Sequence, residues 1–275
     1  MEAALFQRFT DIAYRAAGMR LRDGKESLVE SRVSRRLRAL DLPTPEAYLS
    51  FLERDRSGDE LVHFLDVIST NFTSFLREPP HFELLARALR TGAARGRKSF
   101  SIWSAASSSG EEPYTIVITA LEALGEDADV RVLATDISTQ ILARARAAVY
   151  PGRAIDPLGD TRRGRFFRRH GERRDDPDCL WQVREEVRAH VTFARLNLAT
   201  PPFPMRGPFD VVFCRNVMIY FDDAVRQRLV ADIERLLRPG GLLFTGHSET
   251  LSHIDSGMVL VRPSIYRKPG DGAAR

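Results

Sequence analysis

Cysteine is scarce in this chain, and that scarcity excludes two kinds of architecture. Cys179 and Cys214 are the only two among 275 residues and stand in unrelated contexts, so neither a disulfide framework nor a cysteine-built zinc site follows from them. A reducing, cytoplasmic compartment is expected. Long apolar runs are also missing. The opening stretch MEAALFQRFTDIAYRAA carries an acid at position 2 and polar residues every few positions, which fits neither a signal peptide nor a membrane span. The six histidines show no His-x-x-x-His pair and no carboxylate at ligand spacing, so no metal is expected. With 18 glycines, 15 prolines and 28% charged residues, the composition is that of a soluble globular chain long enough for one large core and a small second domain.

Glycine is lacking at one informative place. The segment SAASSSGEEPYT, residues 104–115, sits where a nucleotide-binding fold puts its glycine-rich loop, yet it holds one glycine, four serines and two adjacent glutamates. Glu111 and Glu112 suit the positive end of the following helix but repel a phosphate placed there. An acidic, hydroxyl-rich loop suits instead a ligand with no phosphate, a positive charge and a ribose diol, which describes S-adenosylmethionine. Asp136, at the end of VRVLATD, is placed to take both ribose hydroxyls. For Glu111 alone, an ordinary first-turn acid is the better reading.

What is present around that loop defines the organisation. Residues 1–76 read as short amphipathic helices with no strand between them. Phe6, Phe9, Ile12 and Ala13 share one face, Val29, Val33, Leu37 and Leu40 another, and Thr44 with Pro45 opens a third helix. Residues 77–96 form a linker and connecting helix after Pro79 and Pro80 interrupt the pattern. From residue 97 to 275, short apolar runs such as SFSIWSAA, VRVLATD, HVTFARLNL, FDVVFCRN and GGLLFTGHS alternate with helical patterns. The expected fold is α/β, a doubly wound, mostly parallel sheet. Residues 151–190, rich in Gly, Pro and Arg, break the rhythm and read as an inserted antiparallel subdomain.

Five blocks, TNFTSFLRE, WSAASSSGEEPYT, LATDIS, FCRNVMIYF and LLRPGGLLFTGHSE, resemble, in order and spacing, the signature blocks of the CheR-type chemotaxis receptor methyltransferases. The resemblance implies the S-adenosylmethionine-dependent methyltransferase fold and methyl transfer to glutamate carboxylates on the helical cytoplasmic bundle of chemoreceptors. It places cofactor contacts on Asn71, Thr73, Arg77, Glu112, Asp136, Asn197, Leu198, Arg215 and Asn216, and Tyr220 beside the transferred methyl, with Arg77 and Tyr220 as the orienting pair. A glutamate with a reference pKa of about 4.3 is already an anion at neutral pH, so no catalytic base is needed.

The net charge of +4 and the pI near 9.3 matter through where arginines cluster. Arg32, Arg35 and Arg36 share a helix face and are expected to dock the acidic surroundings of the substrate glutamates. In RRHGERRDDPDCLWQVREEV, residues 168–187, Gly171 is the single glycine, beside a charged tip with Pro177, so no tether to a receptor C-terminal peptide is expected; a monomer is expected as well. Two other functions are compatible with the fold. A nucleic-acid methyltransferase lacks its Asn/Asp-Pro-Pro-aromatic or Pro-Cys signature here, since Cys214 follows Phe213, and a non-catalytic module has no physical reason to keep the whole polar set. GHSET, 246–250, resembles a nucleophile elbow without its second glycine and reads as a rim loop.

Overall fold

A computed structural model describes residues 1–21, 24–69, 72–171 and 179–270. The N-terminal part is helical: α1 (Ala3–Ala17), α2 (Glu26–Leu40), α3 (Pro45–Arg54) and α4 (Asp59–Ile68). Their apolar stripes meet in one cluster built on Phe9, Tyr48 and Phe64, joined by Val29 and Val33 from α2. The Thr44 hydroxyl accepts the Ala47 N–H at 3.2 Å, capping α3.

The rest is a sheet with helices on both faces. In chain order come α5 (Pro79–Ala94), β1 (Ser99–Ser104), α6 (Glu111–Leu124), β2 (Asp129–Asp136), α7 (Thr139–Ala147), β3 (Val149–Pro151), α8 (Gly152–Ile155), α9 (Gly159–Phe166), β4 (Phe167–His170), β5 (Leu180–Val183), α10 (Glu185–Arg188), β6 (Val191–Arg195), β7 (Phe209–Cys214), α11 (Asp223–Leu236), β8 (Leu237–Thr245), β9 (Val259–Arg262) and β10 (Ile265–Arg267). The main sheet has the order β6-β2-β1-β7-β8-β10-β9. Its first five strands pair in parallel, and β10 and β9 close it antiparallel. Strand β7, FDVVFC, is buried at every position, as a central strand covered on both faces requires.

Two local features differ from the sequence expectation. Pro79 and Pro80 do not end a helical pattern; they start α5, where a missing N–H costs nothing. The small antiparallel sheet has the order β3-β5-β4 and already begins at Val149, ahead of Pro151. It packs onto the main core through Phe167 and Tyr150, whose rings stand edge-on to Phe75 at 5.6 and 5.0 Å. No helix among the described residues is long and apolar enough to cross a membrane.

Candidate active site

A cleft opens beyond the carboxyl ends of β6, β2, β1 and β7, on the side where α1 and the segment after α4 cover the sheet. Here neighbouring parallel strands send their connections to opposite faces, the usual place for a ligand in such a sheet. Ala105, Ala106 and Ser108 follow β1, and from α6 comes Glu112. Asp136 and Ile137 follow β2, Asn197 and Leu198 follow β6, and Arg215, Asn216 and Tyr220 follow β7. Thr73 and Arg77 line the same cleft. Asn71 lies outside the described residues.

The one glycine of the 104–115 loop has a steric reason. Gly110 has φ of 100°, and a Cβ there would meet the Tyr150 hydroxyl at 2.7 Å and the Ala145 Cβ at 3.1 Å. The same hydroxyl donates to the Ser109 carbonyl at 2.7 Å. This ties the loop to the antiparallel subdomain. Ser108 sits at φ 47° and donates its N–H to Asp136 Oδ2 at 2.9 Å, while the Ser138 N–H donates to Oδ1 at 3.1 Å. Burial pushes the Asp136 carboxyl above its ordinary range, against the pull of those backbone donors. Each oxygen keeps a lone pair for a hydroxyl in the cleft.

Glu111 and Glu112 divide as their positions dictate. Glu111 turns away and takes the Ser109 hydroxyl at 2.6 Å. Glu112 faces inward, accepting from the Ser104 hydroxyl at 2.7 Å and from Arg215 Nη1 at 3.0 Å. Burial raises the Glu112 carboxyl and Arg215 opposes that. Arg215, whose side chain is 1% exposed, also pairs with Glu78 at 3.0 Å and donates to the Arg77 carbonyl. Burial presses Glu78 upward as well, but there Arg215 prevails and holds it below the usual range. A buried cation thus joins the buried Glu112 to the half-buried Glu78.

Glu78, His81 and His247 bring ligand-type atoms within 4.8 Å of one another. Arg215 already puts a positive charge on the Glu78 oxygen they share, and burial, with that same cation, drives His81 down to about 4. The trio therefore reads as a packed part of the ion-pair network.

Arg77 is not the ion-pair partner of Glu78. Its guanidinium donates to the Phe72 carbonyl at 2.7 Å and lies 5.8 Å from the centre of the Phe72 ring. Asn197 donates to the Ala16 carbonyl at 2.8 Å, which joins the sheet to α1. Sequence reasoning missed the far wall, Ala17 and Met19, which α1 delivers directly. The available signal was Gly18, whose φ of 64° ends α1 and whose absent Cβ would meet Ala199 at 2.7 Å.

The three arginines expected to form a docking face require correction. Arg32 donates through Nη1 to the carbonyls of Val67, Ile68 and Ser69 at 2.9, 2.9 and 2.6 Å, closing the carboxyl end of α4. Arg36 forms a two-pronged pair with Glu60 at 2.9 and 2.6 Å, and Glu60 also accepts from the Tyr48 hydroxyl. Only Arg35 of the three is exposed, beside Arg38.

Residues 71–264 match the family described as "CheR methyltransferase, SAM binding domain", and residues 4–69 match "CheR methyltransferase, all-alpha domain". The "Chemotaxis protein methyltransferase" of Escherichia coli (strain K12) is 39% identical over 264 residues, 96% of this chain and 90% of that one. The "Chemotaxis protein methyltransferase 2" of Pseudomonas aeruginosa is 41% identical over 263 residues, 95% of this chain and 91% of that one. The "Chemotaxis protein methyltransferase" of Borreliella burgdorferi is 35% identical over 269 residues, 95% of this chain and 93% of that one.

Proposed function

Since the chain belongs to the CheR methyltransferase family, whose larger domain binds S-adenosylmethionine, we propose that it methylates glutamate carboxylates on the cytoplasmic helical bundle of chemoreceptors. The observation that carries this reading is the donor set of the cleft. Two carboxylates, half-buried Asp136 and buried Glu112, face a cavity whose other walls are apolar or neutral apart from Arg77 and Arg215, and Arg215 is already paired with Glu112 and Glu78. That set fits a cation bearing a diol and disfavours a phosphate.

Asp136 would hold the ribose hydroxyls, and Glu112, kept in place by Ser104 and Arg215, would face the positive end. Asn197, Leu198, Thr73, Arg215, Asn216 and, by the family resemblance, Asn71 complete the cofactor side. The cofactor supplies a methyl group on a positively charged sulfur. That methyl would pass to a substrate carboxylate that is already an anion, leaving both partners neutral, so no proton would have to move. No base is therefore called for, and no histidine or cysteine lines the cleft among the described residues. The chain's contribution is alignment and removal of water, with Arg77 and Tyr220 at the mouth orienting the incoming carboxylate.

Docking of the acidic receptor surface falls to Arg35, with Arg38, on the exposed face of α2. The antiparallel subdomain offers Gly171 at φ 96° after β4, and the charged tip expected to exclude a peptide tether lies outside the described residues. Recognition proceeds from α2 without such a tether, by a cytoplasmic monomer. The test is incubation with labelled S-adenosylmethionine and a cognate receptor fragment, with DNA and RNA in parallel. Base-labile methyl ester on the fragment alone is expected, at similar rates whether or not the receptor keeps its last residues. Label on nucleic acid instead would overturn the reading.

A further inference from the structure

GHSET has no part in the chemistry described so far, yet its glutamate is one of the most heavily bonded side chains near the cleft. Glu249 is 6% exposed. Its Oε2 accepts the N–H of Asn216 and the N–H of Gly246, each at 2.7 Å, and its Oε1 accepts the N–H of Ile219 at 3.2 Å. The main chain of Glu249 is itself fixed, because its carbonyl accepts the Thr245 hydroxyl at 2.8 Å and its N–H donates to the Gly246 carbonyl at 2.9 Å. Its neighbour Leu251 donates to the Tyr266 hydroxyl on β10 at 3.0 Å.

The other end of this clamp is a turn held in an unusual backbone conformation. Asn216 occupies φ 58°, a left-handed conformation that a non-glycine residue keeps only when its surroundings impose it. The chain leaves β7 through Asn216 and Val217 into a single turn of 3-10 helix, Met218–Tyr220, and Tyr220 lines the cleft. Gly246 leaves room for the clamp alone: a Cβ there would fall 2.5 Å from Asn216 Nδ2 and 2.8 Å from Glu249 Oε2. Glu249 does not line the cleft.

We propose that Glu249 is a positioning residue for methyl transfer, its carboxylate acting as a built-in anion that gathers three backbone N–H groups and so sets where Asn216 and Tyr220 stand. The proposal rests on the methyltransferase reading, and it adds a residue that acts through others without touching cofactor or substrate. Burial raises this carboxyl, and the backbone N–H groups it holds oppose that rise.

The variants are Glu249→Ala, which leaves three orphaned donors, and Glu249→Gln, which keeps the volume but offers an amide N–H₂ to at least one N–H. In Glu249→Ala, amide exchange at Asn216 and Ile219 should accelerate, and kcat should fall on the order of a hundredfold, while the affinity for S-adenosylhomocysteine changes far less. Sodium formate should enter the emptied nest, slow exchange at both amides and restore part of kcat, with sodium chloride at equal ionic strength inert. Formate should not rescue Glu249→Gln, whose side chain fills the space. Unchanged exchange at the two amides, or a kcat loss that tracks unfolding and ignores formate, would overturn the proposal. Wild-type enzyme that leaves the receptor fragment unmethylated would refute the glutamate reading instead, and the exchange data would still decide the role of Glu249.

Discussion

Replacing Asp136 tests the cofactor assignment most directly, because the carboxylate stands at the carboxyl end of β2 with its geometry fully specified. One oxygen takes the Ser108 N–H and the other the Ser138 N–H, so in Asp136→Asn one of those two donors loses its acceptor. Two bonds from a ribose diol to an ionised acceptor amount to about 1.5–3 kcal/mol each. Taking the lower figure, because the same carboxylate must also keep its two backbone bonds, the loss in Asp136→Ala is about 3 kcal/mol, roughly a hundredfold in affinity. Asp136→Asn, which still offers one acceptor, should lose roughly tenfold. The assay is calorimetric titration with S-adenosylhomocysteine. pH supplies a second arm. Burial raises the folded-state pKa of Asp136 above the unfolded value, so this group contributes stability that is present below the unfolded pKa and is lost as pH rises through the folded one. Cofactor binding needs the ionised form and runs the other way, weakening as pH falls through that raised pKa, and Asp136→Asn should flatten the dependence. Wild-type affinity in Asp136→Ala would refute the assignment.

Three further outcomes follow from the same structure. Arg215→Met leaves Glu78 and Glu112, each 11% exposed at the side chain, without their cation; breaking such a buried pair costs about 3–5 kcal/mol. Calorimetry at neutral pH should show Tm lowered by roughly 10 °C, with the deficit shrinking in acid as the carboxylates protonate, and an unaltered Tm would remove the network from the account. On α2, Arg35→Glu should raise the receptor KM steeply at low salt and leave Tm in place. Arg36→Glu should lower Tm, because Glu60 is 5% exposed and already holds the Arg36 guanidinium; the two variants behaving alike would contradict the division drawn between them. Phe72 is 71% exposed at the cleft mouth, so Phe72→Ala should weaken the receptor and spare S-adenosylhomocysteine, as measured by KM and calorimetry respectively.

Much of this site was legible because its chemistry sits on short, contiguous blocks. Strand ends announce themselves: the apolar run of β2 stops at Asp136, and that of β7 stops at Arg215, so the polar residue after each run falls on the ligand-binding rim whatever the details of packing. A loop with one glycine and two acids carries its own electrostatic preference. Glu111 and Glu112 could be told apart only weakly, since adjacent residues on a helix point about 100° away from each other and the sequence does not say which direction is inward. Contacts between distant segments lay beyond reach altogether. Periodicity gave the common face of Arg32, Arg35 and Arg36, but the partners of Arg32 and Arg36 come from 24 to 37 residues away, on α4 and the residue that ends it. A basic helix face read as a docking surface was in large part the seam of a helical domain. Arg32 there holds the last carbonyls of α4, and the chain reaches Phe72 and Thr73 at the cleft only a few residues later. The charge placed on α2 therefore bears on the active site first through the path of the chain, and only then, at Arg35, through attraction of a partner.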